Sequence, residues 1–99
     1  IMSIKTIEDI SGRLSYDTGI IEECLSQQIP QCNVGDDNLY SQGFVHYYGK
    51  QSPENDFNVY AEALFTDHSH LRYLAREYPI INKKYQVIKK FYNDLGVKI

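Results

Sequence analysis

The apolar positions of this chain recur mostly at helical intervals. Ile4, Ile7, Ile10 and Leu14 are spaced +3, +3 and +4, which predicts a helix over about 4–14, weakened near its end by Gly12. Asp17 and Thr18 then offer capping oxygens to a second helix. That helix carries Ile20, Ile21, Cys24, Leu25 and Ile29 on one side, and Glu22 and Glu23 complement its dipole. Pro30 stops it.

Residues 30–38 are turn formers and predict a long connection. The stretch 39–49 is two-sided. Leu39, Phe44, Tyr47 and Tyr48 roughly share a helix face, whereas Phe44-Val45-His46-Tyr47-Tyr48 suits a strand on propensity. Helix is the preferred reading, because no convincing partner strand exists.

Ser52-Pro53-Glu54 is a strong helix start: a capping hydroxyl, a proline for the first turn and an acid for the positive end of the dipole. Phe57, Tyr60, Ala61, Leu64 and Phe65 follow in helical register, although Phe57, Val59, Ala61, Ala63 and Phe65 also alternate like a strand. Asp67 is read as the cap of a further helix, with Leu71, Leu74, Ala75 and Tyr78 on one side and Pro79 as its stop. In the last helix Ile81, Tyr85, Ile88, Tyr92 and Leu95 form a stripe suited to a bundle, and Gly96 is a natural C-terminal cap. The sum is an all-α fold, a small bundle of five or six short helices in one domain over residues 1–99, with a β-hairpin in 39–65 as the alternative for that stretch.

Composition narrows the class. Ninety-nine residues, 42% apolar and 23% charged, describe a globular domain rather than a disordered or fibrous chain. No apolar run approaches the ~18–20 residues of a membrane helix. No basic segment leads into an apolar one, so a cytoplasmic protein without a secretory signal is expected. Met2 reads as the natural start, with Ile1 a remnant ahead of it.

Charge is distributed unevenly. Residues 1–70 set three cations against eleven carboxylates, a net −8, while residues 71–99 set seven cations against two carboxylates, a net +5. Nine tyrosines and four phenylalanines without tryptophan add amphipathic side chains suited to a core edge or to an interface.

No catalytic constellation stands out. Asp67-His68-Ser69-His70, with His46, supplies metal-ligating atoms, but side chains two apart on a helix diverge. Cys24 and Cys32 have no neighbouring base to activate them, and in a reducing compartment they read as free thiols. The pairs Asp36-Asp37 and Glu22-Glu23 lie in polar contexts and lack a calcium-loop spacing. An enzyme, a metal site and a cofactor are therefore not expected. Lys83, Lys84, Lys89 and Lys90, with Arg72 and Arg76, could form a basic patch near Tyr73, Tyr85 and Tyr92, although an acidic net charge weighs against nucleic acid.

These features favour a small acidic interaction protein that binds and neutralises a basic protein. Nuclease toxins have basic clefts because they bind phosphates. An immunity protein, an antitoxin or a phage anti-defence inhibitor has the physical form expected of their antagonists. Asp36, Asp37, Tyr40, Tyr47, Tyr48, Glu54 and Asp56 are the expected partner-binding residues, acids for complementarity and tyrosines as anchors. The alternative is a nucleotide or nucleic-acid binding module that uses the basic C-terminal helices. A homodimer built on surplus tyrosine and apolar surface is a third reading.

Overall fold

A computed structural model describes residues 2–19 and 37–98. Among the described residues there are six α-helices and no strand: α1 (Met2–Ser11), α2 (Asp37–Ser41), α3 (Tyr47–Lys50), α4 (Pro53–Thr66), α5 (His68–Glu77) and α6 (Pro79–Asp94). The chain is all-α there, and the β-hairpin alternative for 39–65 is not observed. The expected helix from Ile20 to Ile29, its Pro30 stop, Cys24, Cys32 and Asp36 lie outside the described residues.

Helix α1 is shorter than its apolar stripe. It ends at Ser11, and a single 3-10 turn, Arg13–Ser15, follows beyond Gly12. The Ser15 hydroxyl donates back to the Ser11 carbonyl at 2.7 Å, satisfying one orphan acceptor of the helix end. Ile7 is fully buried, but Leu14, expected on the same stripe, is fully exposed because it lies past that break.

Two short helices replace the single expected one in 39–49. Helix α2 closes in a Schellman arrangement, with Phe44 N–H donating to the Leu39 carbonyl and Gly43 N–H to that of Tyr40. Gly43 takes φ +94°, a conformation that side-chain-bearing residues rarely adopt. Helix α3 is capped by an imidazole: Nδ1 of His46 accepts from Tyr48 N–H at 3.0 Å.

The Ser52 start of α4 holds, with its hydroxyl accepting from Asn55 N–H at 3.2 Å. Asp67 makes no side-chain cap, contrary to expectation. As the lone residue between α4 and α5, it works through its backbone instead. Its N–H donates to the Ala63 carbonyl, and its own carbonyl accepts from Leu71. Pro79 ends α5 as expected, and it also opens α6 in the first turn, where the missing N–H costs nothing. Gly96, at φ +89°, completes a second Schellman closure with Val97 N–H on the Tyr92 carbonyl.

Helix α6 is the spine, packed against α1, α2, α4 and α5. Its Ile81, Tyr85 and Ile88 join Ile7, Phe57, Tyr60, Leu64, Leu71 and Leu74 in one buried core. Burying each such side chain stabilises the fold by roughly 1.5–3 kcal/mol. Near its end the stripe leaves the core. Tyr92 is half-buried, edge-on to Phe65 and Phe91, and Leu95 is exposed.

Candidate functional site

The expected partner-binding residues divide among three environments. Asp37 is exposed and accepts a short hydrogen bond from the Tyr78 hydroxyl. That bond, with lesser help from burial and from the Asp37 charge, pushes Tyr78 up to about 12. Tyr40 is half-buried, its ring tilted against Tyr78 at 5.3 Å, so Tyr78 joins Asp37 and Tyr40 into one small cluster. Tyr47 is half-buried, and Tyr48 and Glu54 are exposed.

Asp56 belongs to no surface. Its carboxylate is fully buried and ion-paired with Lys84 at 2.7 Å, also fully buried. This corrects two expectations: Asp56 cannot face a partner, and Lys84 cannot join a basic patch. The Tyr16 hydroxyl donates to the same Asp56 oxygen, Oδ2, at 2.7 Å. The Gly43 carbonyl accepts from both Lys84 Nζ at 2.9 Å and Tyr60 Oη at 3.0 Å. Lys84 Nζ also lies 4.2 Å from the Phe44 ring centroid. Burial pushes the Asp56 carboxyl up and the Lys84 ammonium down, and each partner's charge opposes that push. Tyr16 is raised by burial first and by the Asp56 charge next. Sequence reasoning missed this cluster, although Lys84 sits between Ile81 and Ile88 on the inward stripe of α6. The cluster joins α4 and α6 to the turn after α2 and, through half-buried Tyr16, to the segment that follows α1.

Two surface grooves of opposite character flank α5. The first, about 330 Å³, has half-buried Val45, Val59 and Ala63 within it and exposed Glu62, Asp67 and Tyr48 around it. His46, Thr66 and His70 also line it. Among the described residues no lysine or arginine lines it.

The second groove, about 700 Å³, lies between α5 and α6. Arg72 and Arg76 line it from α5 and Lys89 from α6, with Ser69, Asn82 and Gln86 among the remaining lining groups. Among the described residues no carboxylate lines it. At its margin His68 Nε2 is 2.7 Å from the hydroxyl of Tyr85, itself part of the lining. His68 is held below its ordinary value by burial first and then by the charges of Arg72 and Lys89.

His68 and His70 diverge, the latter stacking on Tyr73 and facing the first groove. Among the described residues no three His, Cys, Asp or Glu side chains stand close enough to hold a metal ion, and no helix is long and apolar enough to cross a membrane. Comparison with known proteins finds no matching family model, no matching curated protein and no matching solved structure.

Proposed function

We propose that this protein is an interaction module rather than an enzyme, and that it seats a basic segment of a protein partner in the groove between α3, α4 and α5. One observation carries the reading: apolar Val45, Val59 and Ala63 are bordered by the carboxylates of Glu62 and Asp67, with no lysine or arginine among the described lining residues. An apolar floor gives contact area, and the bordering carboxylates select Lys or Arg and speed encounter. Tyr48, 46% exposed at the edge, is placed to anchor the contact. The net −8 over residues 1–70 extends the attraction beyond the groove. A nuclease toxin, basic where it binds phosphates, is the partner class this electrostatics fits. The role is then that of an immunity protein, an antitoxin or a phage anti-defence inhibitor acting in the cytoplasm.

The test is affinity capture of the tagged protein from its native host at low and high salt, followed by titration of the purified partner. A single basic partner, released at high salt, is expected. Glu62→Lys combined with Asp67→Lys should weaken it by about tenfold or more. Reversal at Asp36 and Asp37 is the companion variant; Asp37 opens α2, so a loss there reports a footprint over that helix instead. Recovery of the protein alone, or an affinity indifferent to the Glu62 and Asp67 reversals, overturns the reading.

A further inference from the structure

The groove on the other side of α5 carries a different inference. Arg72 and Arg76 are four residues apart on one helix, so they lie on the same face one turn from each other. Lys89 faces them from α6. Like charges at that spacing disfavour the helix. Among the described residues none of the three is ion-paired with a carboxylate, and Lys89 Nζ lies 5.8 Å from the ring centroid of Tyr85. The wall between the cations is polar and uncharged: Ser69, Asn82 and Gln86 offer hydroxyl and amide donors. The space, about 700 Å³, falls in the range of small-molecule sites. At the groove margin His68, 2.7 Å from the Tyr85 hydroxyl, is held below its ordinary value by burial first and then by the Arg72 and Lys89 charges.

We propose that the α5–α6 groove binds the diphosphate group of a small molecule. Guanidinium forks match phosphate oxygens bidentately, and the Lys89 ammonium adds a point charge from the opposite wall. Three cations are suited to a ligand of two or three negative charges. The groove selects phosphates rather than a base. Tyr85, the one aromatic among the described lining residues, is buried, and the exposed Tyr73 is stacked on His70 instead of lining it. A long polyanion is disfavoured, because it would run from this groove onto a molecule whose first seventy residues carry net −8. The inference is independent of the acidic groove, since no lining residue is shared.

The experiment is a thermal-shift and amide-NMR titration at low ionic strength with inorganic pyrophosphate, ADP, orthophosphate and a short single-stranded DNA. Pyrophosphate and ADP should both raise the Tm by several degrees and shift the amides of α5 and α6, with orthophosphate weaker. ADP binding no better than pyrophosphate supports recognition by the phosphates; ADP binding much better overturns the claim that the groove selects phosphates rather than a base. Arg72→Gln and Arg76→Gln should each weaken pyrophosphate by about tenfold or more. Lys83→Gln, an exposed α6 lysine outside the groove, should leave binding unchanged. Both arginines are exposed, so either variant carries the test should the other fold poorly. The proposal falls if millimolar pyrophosphate shifts neither Tm nor amides, if Lys83→Gln weakens binding as much as the arginine variants, or if the DNA alone binds.

Discussion

Lys84 and Asp56 lie 28 residues apart in sequence and meet as an ion pair with neither side chain exposed. Such a pair fastens two helices at one register, because each charge must find the other or remain buried alone. Among the described residues Asp56 Oδ1 has no hydrogen-bond partner, and the carboxylate is held through Oδ2 by Lys84 and Tyr16. Removing one charge is therefore expected to cost more than removing both. Lys84→Met should destabilise by about 3–5 kcal/mol, a large share of the ~5–15 kcal/mol typical of a domain. Lys84→Met with Asp56→Leu should recover much of that loss. Urea unfolding of the two single variants and the double variant measures it, and additive losses would contradict a coupled pair.

The Gly43 carbonyl that receives Lys84 and Tyr60 is placed by an unusual backbone. At φ +94° a β-carbon is strained, and at Gly43 it would also overlap the Ile80 Cγ2 methyl and approach Lys84 Cε at 3.4 Å. Gly43→Ala should cost about 3 kcal/mol, combining left-handed backbone strain with overpacking. For a chain of this size that lowers the Tm by roughly 15 °C. Gly96→Ala, with open space around its β-position, pays the backbone term alone and should lose clearly less in the same thermal scan.

Periodicity made much of this fold legible, and it failed where a break or a buried charge intervened. Ser52-Pro53 and the Ile81–Ile88 stripe were readable because cap chemistry and helical spacing agree there. The single helix read across 39–49 became two, because the Gly43 turn imposes a break that residue spacing does not encode. Asp56 and Lys84 were assigned outward because isolated charges belong in water. Yet Asp56 precedes Tyr60 by one helical turn, and Lys84 follows Ile81 by three residues, so both registers pointed inward. Only the pairing, which is tertiary, explains their burial. The acidic and basic grooves were foreshadowed by the charge asymmetry, but their lining depends on how α5 packs between its neighbours.

The break after α1 sharpens this point into a measurement. Ile7 and Leu14 belong to one apolar stripe in sequence and to opposite environments in the fold. Ile7→Ala should destabilise by about 2–5 kcal/mol through lost burial and a residual cavity. Leu14→Ser should stay within ~0.5 kcal/mol of the parent. Paired denaturation curves decide it, and equal losses would mean that the helical stripe continues through Gly12.

His68 supplies a pH readout of the basic groove. Burial and the Arg72 and Lys89 charges hold its imidazole below the ordinary 6.5. A folded-state value below the unfolded one favours the neutral ring. Its contribution to stability is thus present above the unfolded value and lost as pH falls through the lowered folded value. The Tm should decline as pH drops below about 6.5, and His68→Gln should remove that part of the decline. An NMR titration of the His68 ring reads the same quantity directly. Adding pyrophosphate brings negative charge against Arg72 and Lys89, so the imidazolium is disfavoured less, by burial alone, and the midpoint moves upward. A midpoint that starts at or above 6.5 would show that the two cations do not act on His68. One that starts low and ignores pyrophosphate would place the anion elsewhere.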